Sequence, residues 1–358
     1  MPSEHGKLSL AMRRPMGVIT CISPWNFPGI LTARGIAFAL AAGNTVVLKP
    51  SEETPYCGGL FFAEVFQEAG VPAGVLNVLT CSRENIGAIG DELIDNPRIK
   101  GISFTGSTPV GRMIAARAGA HLKKACVELG GKDSLIVCDD ADMERATQAA
   151  NFGSFMHQGQ ICMSVEKVLV QDRIFEPFVK RFVERAAKLK MGDPSRDDSC
   201  VIGPLINDKQ AAKVKEQIDD AVAKGAKVLL GGGVKGRFVE PTILLGVTPQ
   251  MKVYQEETFG PVVPVIPFRT DDEAIAPLRA ALALLEASAH PEVDNLADWL
   301  LVSQLQIDGA PAAGVLAKAS EAGVTVQVAR AVGEKCERCW HYETDVTEHQ
   351  LTAEVSGR

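Results

Sequence analysis

Three side chains in separate stretches of the chain could act as a nucleophile, a general base and an oxyanion donor. Cys162 lies in FGSFMHQGQICMS, where the surrounding glutamines and glycine favour an exposed, positioned thiol. Glu128 ends the strand-like part of VELGGKD, where a carboxylate can act as general base on water. Asn26, in the loop SPWNFP, carries an amide that can donate to a developing oxyanion. Taken singly, each also has a structural explanation, as a small buried hydrophobe, a surface acid or a turn residue.

A second set of residues suits a nucleotide. Lys49 and Glu52, in TVVLKPSEE, follow a strand at the end where open α/β sheets bind ligands, and they could pair with ribose hydroxyls. Gly106 and Ser107, in FTGSTPVG, stand between a strand and a helix, whose free amides and dipole favour a phosphate. The alternatives are a solvated loop with an acid at a helix start, and a glycine that the turn itself requires.

Short β-type runs alternate with helical runs over about 17–170, a pattern that is typical of a parallel, doubly wound α/β sheet. The predicted strands are VITCI, TVVLK, VLNVL, GISF, CVEL and SLIVC. Ser107 precedes a helical run, and Gly43 and Gly70 stand where C-terminal helix caps occur. The candidate residues therefore lie mostly at strand ends.

The later part of the chain changes character. The pattern predicts helices over about 173–189 and 208–224 and strands in KVLLGG, PTILLGV and PVVPVIPF. Composition shifts after DDEAIA, and we place a boundary near Ala276. The tail beyond it predicts a helix ending at Gly323, the alternating strand VTVQVAR and a Cys/His cluster.

Composition excludes several classes of protein. A chain of 358 residues with 46% hydrophobic and 23% charged residues is neither a disulfide-stapled miniprotein nor a disordered chain. No apolar run reaches the ~18 residues of a membrane helix and no signal core is readable, so we expect a cytoplasmic location and no membrane partner. The nine cysteines are odd in number and mostly scattered, as in reduced intracellular proteins. Residues 277–358 hold 12 Asp+Glu against 6 Lys+Arg, which argues against nucleic acid as a partner.

The order and separation of SPWNFP, KPSEE, FTGS, ELGGK, GQIC and EETFGP resemble the aldehyde dehydrogenase superfamily from about Gly6 to Ala276. The resemblance implies NAD-dependent oxidation of a small-molecule aldehyde to the carboxylic acid. It implies that Cys162 attacks the carbonyl, that Asn26 and the Cys162 backbone N–H hold the oxyanion, and that Glu128 activates water to hydrolyse a thioester. FMHQGQICM and GKLSL are most similar to aromatic-aldehyde members of benzaldehyde or vanillin type.

The resemblance also assigns cofactor contacts. Lys49 and Glu52 match the adenosine-ribose contacts, and Glu52 favours NAD over NADP because a carboxylate repels a 2′-phosphate; NADP stays an alternative. Gly106 and Ser107 match the pyrophosphate region, and Trp25 matches a neighbouring cofactor or pocket position.

In QEETFGP, Glu257 and Phe259 match the nicotinamide-ribose contact and its packing partner. The implied division is a Rossmann-like NAD-binding domain over 1–128, an incomplete catalytic thiol domain over 129–276 and a small α+β appendage over 277–358. His157 stands where many relatives have Asn, and we assign it no role in the chemistry.

The appendage resembles a different protein. ADWLLVSQLQI and VTVQVARAVGEKCERCWHYETDV are similar to the C-terminal tail of bacterial-type isoleucyl-tRNA synthetases, which ends in a four-thiolate zinc knuckle. Cys336 and Cys339 supply its first pair, and the second pair is missing. His341 or His349 could complete a tetrahedron, but we expect a labile or empty zinc site.

Two other hypotheses stay open. Relatives have a helical segment before the position of Gly6 and, after DDEAIA, a stretch that shapes the substrate mouth and adds oligomerising strands. Their absence favours a catalytically impaired fragment or chimera, and it argues against the homo-oligomer that is usual in the family. The third hypothesis is an RNA-associated zinc module in residues 277–358, which their acidic balance opposes.

Overall fold

The structure is a computed structural model that describes Met12, residues 14–276 and the short segments 315–321, 324–329, 334–335 and 342–343. One compact unit spans Met12–Ile266, and the residues from Pro267 onward belong to a second unit. None of the described helices is long and apolar enough to cross a membrane. The predicted three-domain division stays a prediction.

The first half of the larger unit is built on a five-stranded parallel sheet with strand order β3-β2-β1-β4-β5. Its strands are β1 (Val18–Ile22), β2 (Thr45–Lys49), β3 (Leu76–Val78), β4 (Ile99–Thr105) and β5 (Lys124–Glu128). Its helices are α1 (Pro28–Ala41), α2 (Phe61–Glu68), α3 (Ile86–Asp95) and α4 (Thr108–Ala120). A short π-helix lies at Tyr56–Leu60, and a short 3₁₀-helix lies at Arg83–Asn85.

Both faces of this sheet are covered. Successive residues of β1 point to opposite faces, so Ile19 and Cys21 pack with α1 and α2, whereas Val18 and Ile22 pack with α3 and α4. The predicted doubly wound α/β architecture is confirmed.

Glycines end the first two helices as predicted. Gly43 has φ 83° and Gly70 has φ 75°, backbone conformations that L side chains rarely adopt. In each case the N–H of the residue after the glycine donates to a carbonyl of the last helical turn. The Asn44 N–H donates to the Ala39 carbonyl at 3.0 Å, and the Val71 N–H donates to the Phe66 carbonyl at 3.0 Å. Each helix is therefore turned sharply into the next strand.

The second half of the larger unit carries a five-stranded sheet of order β6-β7-β12-β11-β8. Its strands are β6 (Ser134–Val137), β7 (Lys167–Gln171), β8 (Lys227–Leu230), β11 (Thr242–Leu245) and β12 (Val262–Phe268), and a small hairpin pairs β9 (Val234–Lys235) with β10 (Phe238–Val239). Its helices are α5 (Met143–Phe155), α6 (Phe175–Ala186), α7 (Asp208–Ala223) and the short α8 (Lys252–Gln255). The pairs β6–β7 and β11–β12 are parallel, and β8 runs antiparallel to β11.

Neighbouring residues of β11 divide between two cores, one on each face. Ile243 joins the cluster under α5 and α6, where Phe155, Phe178 and Phe182 stack, and Leu244 joins the cluster under α7. These buried aromatic and branched side chains hold β7, β11 and β12 together as one layer.

The described part of the tail consists of two antiparallel strand pairs, β13 (Val315–Glu321) with β14 (Val324–Ala329) and β15 (Glu334–Lys335) with β16 (Tyr342–Glu343). The predicted strand VTVQVAR is confirmed, but the predicted helix ending at Gly323 is wrong over β13. Pairing with β14 supplies the backbone partners of this Ala-containing run and overrides its helix propensity. Cys336 and Cys339 lie outside the described residues, and within the described ones no cluster of His, Cys, Asp or Glu could hold a metal.

Candidate active site

The amide of Asn26 is anchored to the segment that carries Cys162. Asn26 is 8% exposed, and its Nδ2 donates to the carbonyl oxygen of Gln160 at 3.0 Å, two residues before the thiol. The Gln160 side chain is also buried, and its Oε1 accepts from the Ile206 N–H at 3.0 Å. An amide nitrogen carries two hydrogens, so this contact orients Asn26 and leaves one N–H for an acceptor.

The turn before Cys162 is held in a left-handed conformation. His157, Gln158 and Gly159 have φ values of 51°, 56° and 68°. Such a conformation costs about 1–2 kcal/mol for each residue that has a Cβ, and it persists only where the surroundings hold it. A Cβ on Gly159 would overlap the Gly260 carbonyl, so the turn packs backbone to backbone on that segment.

The thiol itself follows this turn. Cys162 is partly exposed and lies in a tight turn that the Ser164 N–H closes by donating to the Ile161 carbonyl at 3.1 Å. The sequence predicts the glycine turn and the exposure, but not the positive φ of His157 and Gln158, because positive φ is uncommon for any residue other than glycine.

His157 lies beside Asn26, although the sequence predicts no role for it. Its ring packs on Phe27 at a centroid distance of 4.7 Å. Burial of the ring lowers the pKa of His157, and a hydrogen bond with the Asn26 backbone opposes the shift. The His157 ring is therefore partly buried between Phe27 and the Asn26 backbone.

Glu128 is the last residue of β5 and its side chain is exposed. Its backbone carbonyl accepts from the Gly106 N–H at 3.0 Å. Three residues later, a Cβ on Gly131 would lie 3.1 Å from the carbonyl oxygen of Cys162. The glycines after Glu128 thus bring its segment against the thiol segment, although among the described contacts no hydrogen bond joins the two side chains directly.

The Glu257 carboxylate contacts the same glycines. Its Oε1 accepts from the Gly131 N–H at 3.2 Å, and a Cβ on Gly130 would overlap its carboxylate. Burial raises the pKa of Glu257, and the hydrogen bond from Gly131 opposes the shift. Gly130 is therefore needed for Glu257 to reach this position.

An aromatic contact joins two of the predicted cofactor residues. The rings of Trp25 and Phe259 meet edge to face, with centroids 5.5 Å apart and planes at 89°. Phe259 has φ 54°, and its carbonyl accepts from the Gln210 Nε2 at 2.9 Å. The loop after β1 and the loop before β12 therefore meet through these side chains.

A cleft of about 590 Å³ opens beside this contact. Residues along its walls include Trp25, Glu52, Arg83, Ser107, Asn207 and Lys213. The Ser107 side chain makes no capping hydrogen bond to α4, so within the described contacts its hydroxyl is left to face the cleft. Three of the seven predicted cofactor residues therefore line one cavity.

Lys49 and Gly106 stand next to cleft residues, and the structure gives each a packing explanation as well. Lys49 is 5% exposed; its Nζ donates to the Pro50 carbonyl at 2.9 Å and lies 4.0 Å from a Glu52 carboxylate oxygen. A Cβ on Gly106 would lie 2.6 Å from the Phe104 ring. The glycine is therefore required by Phe104, whatever a ligand adds.

Residues 1–281 match the model of the aldehyde dehydrogenase family. The chain belongs to the aldehyde dehydrogenase family. Residues 333–352, which include Cys336 and Cys339, match a zinc finger found in FPG and IleRS. The predicted combination of an aldehyde dehydrogenase core with a synthetase-like zinc-finger tail is confirmed.

Relatives include enzymes whose names give aromatic substrates. A benzaldehyde dehydrogenase of Bacillus subtilis (strain 168) is 47% identical over 276 residues, which are 77% of this chain and 56% of that protein. The crystal structure of a salicylaldehyde dehydrogenase from Pseudomonas putida G7, complexed with salicylaldehyde, is 46% identical with a TM-score of 0.75 and covers 77% of this chain and 57% of that one.

A solved structure with a bound cofactor is also similar. The crystal structure of a betaine aldehyde dehydrogenase from Staphylococcus aureus in complex with NAD+ is 36% identical with a TM-score of 0.70, over 73% of this chain and 52% of that one. This aldehyde dehydrogenase chain therefore spans a little over half the length of the relatives it matches.

Gly159→Ala should destabilise the protein more than Gly225→Ala. Both glycines have positive φ, 68° and 99°, but only Gly159 meets the Gly260 carbonyl, whereas nothing lies within 4 Å of a Cβ on Gly225. We expect Gly225→Ala to cost about 1 kcal/mol from strain, and Gly159→Ala to cost a further ~1–3 kcal/mol from the overlap. Urea unfolding measures both, and equal losses would contradict the packing of this turn.

Glu257→Gln should stabilise the protein at neutral pH. The pKa of Glu257 is higher in the folded protein than in the unfolded chain, so the folded protein binds the carboxyl proton more tightly. The protein therefore loses stability as pH rises from the unfolded-state pKa through the folded-state pKa. A glutamine keeps an oxygen for the Gly131 N–H and carries no charge. Urea unfolding from pH 4.5 to 8 should show an advantage over wild type that grows with pH; an equal gain from the exposed neighbour in Glu256→Gln would contradict this.

Proposed function

We propose that the protein oxidises an aromatic aldehyde to its carboxylic acid with NAD, through a covalent intermediate on Cys162. The observation that carries the proposal is the anchoring of Asn26 on the Gln160 carbonyl, which ties an oxyanion donor to the thiol segment. Family membership supports the reaction class, and the benzaldehyde and salicylaldehyde dehydrogenases support the substrate class.

In the proposed first step the partly exposed Cys162 thiol loses its proton to solvent, its sulfur bonds to the aldehyde carbon, and the C=O π pair moves to the oxygen, which gains negative charge. The remaining N–H of Asn26 Nδ2 and the backbone N–H of Cys162 donate to that oxygen. Donors that are oriented before reaction stabilise the developing charge without reorganisation, and loss of one such donor typically costs ~10²–10³-fold in rate. The hydrogen bond from the Asn26 amide to the Gln160 carbonyl provides that orientation.

The residues around the cleft suit NAD. Glu52 could accept from the adenosine-ribose hydroxyls, Lys49 could donate to them, and Ser107 with the α4 amides could hold the phosphates. Glu257 and Phe259 would border the nicotinamide ribose, with Trp25 packed behind them. Bound NAD would accept the hydride from the reacting carbon.

Glu128 is the proposed general base for the second half of the reaction. Its exposed carboxylate follows β5 and precedes the glycines that pack on the thiol segment. There it could take a proton from water that attacks a thioester on Cys162, which releases the carboxylic acid and restores the thiol. The exposure of Glu128 favours access to that water.

A second hypothesis is cofactor binding without turnover. Large apolar side chains are strongly exposed in the described unit, with Phe38 at 82%, Phe152 at 65% and Leu122 at 96%. Where such side chains form a contiguous patch, other protein usually covers it. NAD that raises the unfolding temperature of the chain, without any formation of NADH from aldehyde, would favour this hypothesis.

Cys162→Ser should abolish the reaction. With benzaldehyde and NAD, we expect wild type to produce NADH, measured by absorbance, and the variant to be slower by about 10³-fold or more. Cys57→Ser is the matched control, since Cys57 is an exposed cysteine away from the thiol segment, and it should keep the wild-type rate. Equal rates for wild type and Cys162→Ser would remove the thiol from the mechanism.

Glu128→Gln should separate the two half-reactions. We expect rapid mixing to show a burst of about one NADH per active site, followed by turnover that is slower by about 10²–10⁴-fold, because water is no longer activated. Glu176→Gln, which changes an exposed acid on α6, should affect neither phase. A burst that is lost in proportion to turnover would show that Glu128 acts before the acyl intermediate instead.

A further inference from the structure

A buried ion pair lies between the two sides of the candidate site. Lys132 Nζ donates to Glu166 Oε2 at 2.5 Å, and their side chains are 14% and 5% exposed. The same ammonium donates to the Thr258 hydroxyl at 3.2 Å. The Glu166 carboxylate accepts from the Thr258 N–H at 2.8 Å and from the Phe259 N–H at 2.9 Å. The carboxylate therefore holds the backbone of Thr258 and Phe259, and the ammonium holds the carboxylate and the Thr258 hydroxyl.

Each member of this pair lies close in sequence to a proposed catalytic residue. Lys132 follows Glu128 by four residues, and Glu166 follows Cys162 by four residues. The backbone of Glu166 also donates to the Asp133 carbonyl at 2.9 Å, which joins these two segments a second time. The ion pair thus fastens the base segment and the thiol segment together.

The third segment that meets the pair carries the proposed cofactor contacts. Thr258, which is fully buried, stands between Glu257 and Phe259. Phe259 has φ 54°, and a residue with a Cβ keeps this conformation only where its surroundings hold it. The Glu166 carboxylate fixes the N–H side of this stretch, and Gln210 Nε2 fixes its carbonyls at 3.1 and 2.9 Å.

A buried ion pair is a poor source of net stability, because desolvation of both charges offsets their attraction. We propose that Lys132 and Glu166 are positioning residues, which fix the backbone of Thr258 and Phe259 so that Glu257 and Phe259 meet the nicotinamide end of the cofactor. The cofactor part of this inference rests on the proposed function. The ordering of the Thr258 and Phe259 backbone does not rest on it.

The test compares three changes in the full 358-residue chain. Lys132→Met with Glu166→Leu removes both charges and both acceptor oxygens. Lys132→Met with Glu166→Gln removes the charges but keeps an acceptor for the backbone N–H groups. Lys215→Met with Asp219→Leu removes an exposed ion pair of α7, with side chains 55% and 60% exposed, and is the matched control.

If Lys132 and Glu166 are positioning residues, their removal should change backbone hydrogen exchange and NAD affinity more than it changes stability. We expect the Met/Leu variant to keep its unfolding temperature to within about 5 °C, since an apolar replacement of similar size is often neutral. Hydrogen exchange at residues 257–260, measured without NAD, should accelerate by about tenfold or more, and calorimetric affinity for NAD should fall by about tenfold. The Met/Gln variant should recover most of the slow exchange and most of the NAD affinity. The Lys215→Met with Asp219→Leu control should keep wild-type exchange and wild-type affinity.

A merely structural role predicts a different result. If the Met/Leu variant folds with wild-type exchange at residues 257–260 and wild-type NAD affinity, the proposal is overturned. If it does not fold, the Met/Gln variant decides, because recovery of folding without recovery of slow exchange also overturns it. If wild type itself binds no NAD, the proposed function fails, while exchange in the NAD-free protein still tests the positioning.

Discussion

The parallel alignment of β1, β2, β4 and β5 is the constraint on which the candidate site depends. Thr20 of β1 pairs with Val47 of β2 and Ile102 of β4, so the carboxyl ends of these strands emerge at one edge of the sheet. The residues that follow them, Asn26 and Glu52 among them, are brought to that edge by strand direction. Helices on both faces enforce the alignment, since a shift of one residue would exchange the β1 side chains that pack with α1 and α2 for those that pack with α3 and α4.

The segments next to the second sheet are joined at the candidate site by close contacts between backbone atoms. Gly131 packs on the Cys162 carbonyl, and Gly159 packs on the Gly260 carbonyl. Where chains touch without side chains, the separation is fixed by van der Waals radii and leaves little room for adjustment. The polar contacts of Asn26 and of the Lys132–Glu166 pair then set orientation within that frame. These close approaches require glycine at positions 131 and 159.

Local patterns in the sequence predicted the strands of the first sheet, most of the helices and the caps at Gly43 and Gly70, because these depend on neighbours in the chain. The site residues were predicted from motif order and resemblance, and their roles stay predictions. Three features could not be predicted: the burial of Lys132 and Glu166, the left-handed φ of Gln158, and the strand β13 in place of a helix. The first two depend on segments distant in sequence, and charged or polar residues carry no local sign of such a partner. The third was missed because an Ala-containing run favours a helix locally, whereas pairing with the adjacent β14 makes it a strand.

The edge-to-face meeting of Trp25 and Phe259 has an evolutionary consequence. The two rings come from opposite ends of the larger unit and pack on each other beside the cleft, so a smaller ring at either position would weaken the contact that joins these segments. Neither position is free to drift alone. Lineages that diverged from this sequence should have exchanged these two aromatics in step, and the pair would read as correlated columns in any collection of descendants.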